Sequence, residues 1–167
     1  MSKLIVLRGY PGSGKTTIGK ELEKNGVGLF IDHNAILTLI ANIAGNDDGL
    51  YDEIIVLEKA ICKKLLSENK IVIVARGFSK VSSIDEYTHL AIDLGVEYQV
   101  IRLEVNESEL MIRVQSPERK NDFNPTDNEI AERAWISDNP LENYKGEIVI
   151  NNQRPLSDVV LHISDHI

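Results

Sequence analysis

The chain has 167 residues, 43% hydrophobic and 26% charged, a balance typical of a single globular domain over residues 1–167 rather than of a disordered segment. A formal net charge of −8 disfavours extended nucleic acid as a partner, and a single cysteine excludes an internal disulfide framework. No apolar run approaches the roughly 18–20 residues that span a bilayer, and the first residues lack a signal-peptide pattern. We therefore expect a cytoplasmic protein that is not embedded in a membrane.

Short runs rich in β-branched residues alternate with longer stretches of helical periodicity. The run KIVIVA (70–75) is apolar throughout, as expected for a central parallel strand that is buried on both faces. This alternation predicts an α/β fold in which helices cover both faces of a mostly parallel sheet. In chain order, the predicted strands lie at 4–7, 28–32, 70–75, 98–105 and 146–151, with helical patterns at 17–25, 34–45, 51–69, 82–95, 106–114 and 155–167.

One segment departs from the alternation. The stretch SPERKNDFNPTDNE at 116–129 is polar, contains two prolines and has few large apolar residues. Such a segment is typical of an excursion from the core. We predict a lid-like excursion around 113–125.

The stretch GYPGSGKTT connects the first predicted strand to the first helix and fits the pattern G-x-x-x-x-G-K-[ST] at every fixed position. Glycines allow backbone N–H groups to turn inward around phosphate oxygens, and the following helix directs its positive end to the same place. Lys15 would reach the outer phosphates, and the Thr16 hydroxyl would bind Mg²⁺. The predicted triphosphate-binding residues are Gly9, Tyr10, Pro11, Gly12, Ser13, Gly14, Lys15, Thr16 and Thr17.

Other classes of P-loop protein are disfavoured. A guanine-nucleotide switch would carry an N-K-x-D motif, but Asn69–Lys70 is followed by Ile71–Val72. A motor or AAA-type ATPase would carry a carboxylate at the end of a buried strand, whereas KIVIVA is followed by Arg76–Gly77–Phe78. The glycine order also differs from the dinucleotide fingerprint, which disfavours NAD.

With these features, the chain resembles the small-molecule P-loop kinases, a group that includes shikimate kinase, gluconate kinase, chloramphenicol phosphotransferase and polynucleotide kinase domains. The resemblance covers nearly the whole layout, although only the loop at 9–17 is highly specific. It implies a three-layer P-loop NTPase fold with a five-stranded sheet in the order 2-3-1-4-5. It also implies transfer of the γ-phosphoryl group from ATP, with Mg²⁺, to a hydroxyl group of a small molecule.

The resemblance suggests which residues face the acceptor. Asp32 follows the second strand, where these kinases place a carboxylate that serves as base, although an aspartate there also suits a helix N-cap. Shikimate and gluconate kinases carry two aspartates here, whereas this chain has Asp32 and Asn34 and is more similar to chloramphenicol phosphotransferase. His33 adjoins Asp32, and we expect it to face the acceptor pocket. Arg76 stands where shikimate kinases contact their substrate.

Three arginines are predicted to act on the nucleotide. Arg113 and Arg119, in LMIRVQSPERK, are candidate phosphate clamps in a lid, and we expect them to lie away from the phosphates until substrates bind. The segment VINNQRPLSDVV is similar to the last strand and adenine loop of the family, which places Arg154 near the base.

Two alternatives remain open. One is a polynucleotide 5′-hydroxyl kinase or zeta-toxin-like enzyme, which would need a basic track that the net charge disfavours. The other is a non-kinase regulator that binds a nucleotide and hydrolyses it slowly.

Overall fold

The computed structural model describes residues 2–44, 50–116, 133 and 136–167. Strands and helices alternate along the chain as the sequence predicts. The strands are β1 (Lys3–Arg8), β2 (Leu29–Ile31), β3 (Ile71–Ala75), β4 (Glu97–Glu104) and β5 (Ile148–Asn151). The main helices of the described residues are α1 (Lys15–Lys24), α2 (His33–Ala44), α3 (Tyr51–Ser67), α4 (Val81–Asp93), α5 (Glu107–Val114) and α6 (Leu156–Ser164).

The five strands form one sheet in the order β2-β3-β1-β4-β5. Each pair of neighbours is parallel, and Leu4 of the central strand lies between Val72 and Tyr98. The predicted strand order is therefore confirmed, and the sheet is parallel throughout. Parallel order brings the carboxyl ends of all strands to one edge, where open α/β sheets bind ligands.

The core has two apolar layers, because successive residues of β1 point to opposite faces of the sheet. Leu4 and Val6 join a cluster that includes Cys62 of α3 and Tyr87 of α4. Ile5 and Leu7 join a second cluster with residues of α1 and α6: Ile18, Leu22, Val159, Val160 and Ile163. Complete burial of each such aliphatic side chain stabilises the fold by about 1.5–3 kcal/mol. The result is the predicted three-layer arrangement, with helices on both faces.

The remaining structural predictions concern membranes and the excursion. Among the described residues, no helix is both long enough and apolar enough to cross a membrane. Residues 113 and 114 belong to α5, whose Leu110, Met111 and Val114 are buried. The remainder of the predicted excursion from residue 117 onward, including Arg119, lies outside the described residues.

Candidate active site

The loop that joins β1 to α1 has the backbone that its glycines predict. Gly12 and Gly14 have φ values of +78° and +89°, a region that strongly favours glycine. A Cβ atom on Gly14 would lie 2.3 Å from Nδ2 of Asn152, and one on Gly12 would lie 3.3 Å from Cγ2 of Val114. The loop is therefore shaped by its own glycines and by close packing against α5 and the segment that follows β5.

Lys15 begins α1 and folds back over the loop. Its Nζ atom donates to the carbonyl oxygens of Gly9 at 2.8 Å and Tyr10 at 2.9 Å. Ser13 is buried, and its Oγ atom lies 3.4 Å from the same ammonium group. A cation is thus held within the curve of a loop at a helix N-terminus, an arrangement suited to a polyphosphate.

Thr16 and Thr17 occupy the first turn of α1, and Thr16 is the more buried of the two. No group of three or more histidine, cysteine or acidic side chains in the described part of the chain could hold a metal ion. Mg²⁺ commonly binds one or two protein oxygens together with substrate phosphates and water. One hydroxyl beside a phosphate-binding loop therefore fits Mg²⁺ that arrives with a nucleotide.

Asn152 and Arg113 lie next to the loop at 9–17 and the Lys15 ammonium, which together form the phosphate cradle. Asn152 is buried, and its Nδ2 atom donates to the Ser13 carbonyl at 2.7 Å. Arg113 donates from Nη2 to the Asn152 carbonyl at 2.9 Å and from Nε to Glu109 at 2.8 Å. Asn106 caps α5 by accepting a hydrogen bond from the Glu109 backbone at 2.8 Å, which holds this helix end in place.

The position of Arg113 differs from the sequence-based expectation. We expected this arginine to lie far from the phosphate site until substrates bind. Instead, its Nη1 atom lies 3.9 Å from the position that a Cβ on Gly14 would occupy. The reason is that α5 packs directly on the loop and Arg113 is tied to Asn152, so its guanidinium is already beside the cradle.

A cavity of about 430 Å³ lies beside this cradle. It is bordered by the P-loop residues Tyr10 and Ser13, by Leu103 at the end of β4, by Leu110 of α5 and by Gln153 after β5. Arg154, predicted near the base, is exposed in this same loop between β5 and α6. The cavity and the loop between β5 and α6 both adjoin the phosphate cradle, and a nucleotide site requires such space next to its phosphates.

Asp32 lies at the end of β2 and caps α2. Its Oδ1 atom accepts from the backbone N–H of Asn34 at 3.1 Å, and its carbonyl accepts from Ile36 at 3.2 Å. Its Oδ2 atom lies 3.1 Å from Nζ of Lys20 on α1. Asp32 is therefore a helix cap at the carboxyl edge of the sheet, and its role as a base stays a prediction.

Arg76 follows β3 at the same edge. Its backbone N–H donates to Leu7 at 3.2 Å, so the residue is tied to the strand that leads into the P-loop. Its guanidinium donates to the Tyr87 hydroxyl at 3.3 Å and lies 5.2 Å from the centre of the Phe78 ring. Arg76 is therefore half-buried and held by side-chain contacts at this edge of the sheet.

A buried polar network joins Arg76 to the residue after Asp32. Glu58 of α3 is fully buried, with Oε2 2.7 Å from His33 Nδ1 and Oε1 3.0 Å from the Tyr87 hydroxyl. Burial, followed by the charge of Glu58, raises the pKa of Tyr87, so Tyr87 is a neutral hydroxyl donor. Sequence analysis did not select Glu58, although its position gives a signal: Ile54, Cys62 and Leu66 surround it at four-residue spacing on a buried helix face.

A second buried charge cluster supports the start of the P-loop. Arg8, the residue before Gly9, is fully buried and lies 3.1 Å from Glu147, which in turn lies 3.3 Å from Arg102. Burial lowers the pKa of Arg8, and the nearby carboxylate of Glu147 acts in the opposite direction. This cluster fixes the end of β1 against β4 and the segment that leads into β5.

These features define a P-loop nucleotide-binding domain, and comparisons with known proteins agree. The profile of a family described as an AAA domain (AAA_33) matches residues 4–135, and the chain belongs to that family. In this chain β3 is followed by Arg76 and not by the carboxylate that the sequence analysis expected of a motor or AAA-type ATPase. No curated protein matches the sequence.

Solved structures with similar folds include three kinases. A gluconokinase from Sinorhizobium meliloti is 19% identical with a TM-score of 0.64, over 99% of this chain and 95% of that one. The APS kinase CysC of Mycobacterium tuberculosis, in complex with AMPPNP and APS, is 13% identical with a TM-score of 0.70, over 98% and 96%. A shikimate kinase from Acinetobacter baumannii, in complex with shikimate, is 16% identical with a TM-score of 0.58, over 98% and 90%. The chain has the fold of the P-loop small-molecule kinases.

Proposed function

We propose that this protein is an ATP-dependent phosphotransferase that moves the γ-phosphoryl group to a hydroxyl group of a small molecule. The observation that carries the proposal is the presence of two polar clusters at one edge of the sheet. One is the phosphate cradle around Lys15, and the other follows β2 and β3 and contains Asp32 and Arg76. A kinase needs both a nucleotide site and an acceptor site, whereas a simple nucleotide switch needs only the first.

In this proposal the P-loop and Lys15 bind the triphosphate, and Arg113 places a guanidinium next to it. The Thr16 hydroxyl would hold Mg²⁺, which neutralises phosphate charge and orients the phosphoryl group. Arg154 lies in the loop proposed to meet the base. Asp32, Asn34 and Arg76 would meet the acceptor, with Asp32 as the base that the sequence predicts, and Arg119 would clamp the phosphates from the lid.

A hydrogen bond and an ion pair connect the two clusters, which supports the proposal that both act in one reaction. The Gly9 N–H contacts the Gly77 carbonyl at 3.4 Å, which links the P-loop to the turn that holds Arg76. Lys20 belongs to the P-loop helix and pairs with Asp32. The acceptor residues are thus attached to the same elements that form the phosphate cradle.

The test is a panel of hydroxyl acceptors with Mg·ATP, in which ADP release is followed. Sugars, polyols, nucleosides, hydroxy acids and an oligonucleotide with a free 5′-hydroxyl belong in the panel. We expect a small molecule to stimulate ADP release, and Lys15→Ala to abolish that stimulation. Stimulation by the oligonucleotide alone would favour a polynucleotide kinase. Slow release that no acceptor stimulates would favour a regulator.

A further inference from the structure

Asn152 follows β5 and joins three parts of the fold. It is 7% exposed, and its Nδ2 atom donates to the Ser13 carbonyl of the P-loop at 2.7 Å. Its backbone N–H donates to the Glu104 carbonyl at the end of β4 at 2.8 Å, and its own carbonyl accepts from Arg113 of α5 at 2.9 Å. Ser13 and Asn152 are 139 positions apart in the chain, so only the tertiary fold brings them together.

The chemistry of the two groups determines which end of the Asn152 amide faces Ser13. A backbone carbonyl can only accept, so the amide nitrogen, and not the amide oxygen, lies against it. A Cβ atom on Gly14 would lie 2.3 Å from that nitrogen, which is too close for any real side chain. Glycine at position 14 therefore leaves the space that the Asn152 amide occupies.

The contact with Asn152 also fixes the direction of the peptide unit between Ser13 and Gly14. No peptide bond in the described part of the chain is cis, and a planar trans peptide unit directs its C=O and N–H groups to opposite sides. Because the Ser13 carbonyl points at Asn152, the Gly14 N–H points away from it. Lys15 donates to two further carbonyls of the loop, so the negative ends of these loop dipoles all face donors within the protein.

The Gly14 N–H directly precedes the N–H groups in the first turn of α1. This helix begins at Lys15, and Gly14 is its N-cap, with a φ value of +89° and no side-chain cap. The first N–H groups of a helix have no partner within the helix. A phosphate group is a common partner for such donors, because it also meets the positive end of the helix dipole.

We infer that Asn152 is a positioning residue for the phosphate site. Its amide holds the Ser13 carbonyl away from the site, so that the Gly14 N–H faces a bound polyphosphate, and its carbonyl keeps Arg113 beside the cradle. If the peptide unit turned over, a carbonyl oxygen would replace that N–H and repel the anion. Asn152 thus orders the loop before a nucleotide binds, which lowers the cost of binding. This role rests on the nucleotide site of the proposed function and on no step of phosphoryl transfer.

The first test is calorimetric binding of Mg·ATP and of inorganic tripolyphosphate, which occupies the phosphate site without a base. We expect Asn152→Ala to weaken both by about tenfold or more, since a hydrogen bond to a charged group is lost. Asn152→Asp keeps the shape but places an acceptor against the Ser13 carbonyl, and we expect a larger loss. Asn25→Ala is the matched control, because Asn25 makes the same amide-to-carbonyl bond, to Glu21 at 2.8 Å, at the exposed end of α1.

The second test follows the Gly14 amide by NMR in the whole protein, and it separates positioning from support of the fold. In the wild type with Mg·ATP, we expect a downfield shift of the Gly14 amide proton and a coupling from it to ³¹P across the hydrogen bond. Both should be lost in folded Asn152→Ala. A wild-type Gly14 amide that shows neither would overturn the inference, whether or not any variant folds.

The remaining outcomes separate this role of Asn152 from the proposed function. Wild-type affinities for tripolyphosphate and Mg·ATP in both Asn152 variants would overturn the inference. A loss of affinity with unchanged Gly14 signals in the bound state would also overturn it, because Asn152 would then only support the fold. The expected Gly14 signals in a wild type that transfers nothing would support the inference and contradict the proposed function. A wild type that binds neither ligand would overturn both.

Discussion

Lys15 holds its ammonium against two carbonyl oxygens of the P-loop, where a bound anion would meet it. The carbonyls of Gly9 and Tyr10 keep the cation inside the curve of the loop. A bound triphosphate would gain a charge-assisted contact there. Neighbouring lysines of α1 are directed elsewhere, since Lys20 pairs with Asp32 and Lys24 with Glu21.

Replacement of Lys15 by alanine should therefore weaken Mg·ATP binding without unfolding the protein. Charge-assisted hydrogen bonds contribute about 1.5–3 kcal/mol, which corresponds to at least a tenfold loss of affinity. Calorimetric titration measures this loss, and Lys24→Ala on the exposed end of α1 is the matched control. Equal affinities for the wild type and Lys15→Ala would contradict the assignment of the phosphate site.

Cys62 gives a second residue-scale prediction. Burial and the nearby charge of Glu58 raise the pKa of its thiol, and burial likewise raises the pKa of Tyr87. Above a pH of about 8.5 the unfolded thiol ionises while the folded one stays protonated. The free energy of unfolding should then fall as pH rises through this range. Denaturant titrations from pH 7 to pH 10 measure this free energy of unfolding. A thiol reagent should also label Cys62 far more slowly in the native protein than in the unfolded chain.

At the scale of elements, a buried ion-pair cluster joins the ends of β1 and β4 to the segment before β5. Arg8 is fully buried, the side chain of Glu147 is 6% exposed, and the two charged groups lie 3.1 Å apart. Such a pair is weak evidence of net stability, but removal of one partner leaves a buried charge without compensation. The cluster therefore determines how firmly the P-loop is held at its start.

Glu147→Ala should lower the free energy of unfolding by about 3–5 kcal/mol, as for other broken buried pairs. Urea denaturation measures the change. Glu86→Ala breaks the exposed pair with Lys59 and should have little effect. An equally small loss of unfolding free energy in Glu147→Ala and Glu86→Ala would mean that other groups compensate the charge of Arg8.

The lid remains a prediction at the same scale. If Arg119 clamps the transferring phosphoryl group, Arg119→Ala should slow transfer much more than it weakens ATP binding, since the guanidinium would act mainly on the transition state. Transfer rates and ATP affinity measured on the same protein give the comparison. Wild-type rates in Arg119→Ala, together with equal hydrogen exchange across 113–125 with and without a non-hydrolysable ATP analogue plus acceptor, would refute the lid.

At the scale of the whole molecule, the sequence predicts those features that depend on local pattern. The alternation of apolar runs with helical periodicity predicts the parallel sheet, and the resemblance to the small-molecule P-loop kinases implies its strand order. Glycine spacing gives the loop at 9–17. Contacts between residues distant in the chain were not predicted: Asn152 reaches Ser13, and Glu58 joins His33 to Tyr87. Local pattern carries no information on which distant polar groups meet. For this reason, the expectation that Arg113 lies away from the phosphate site was wrong.

At the same scale, we propose that the molecule transfers the γ-phosphoryl group of ATP to a hydroxyl group. The most direct measurement follows the γ-phosphorus itself by ³¹P NMR during incubation with Mg·ATP and the acceptor panel. We predict a new phosphate monoester signal that grows with ADP in the wild type and is absent in Lys15→Ala. Inorganic phosphate as the sole product with every acceptor, or ATP that remains unchanged although it binds, would contradict the claim.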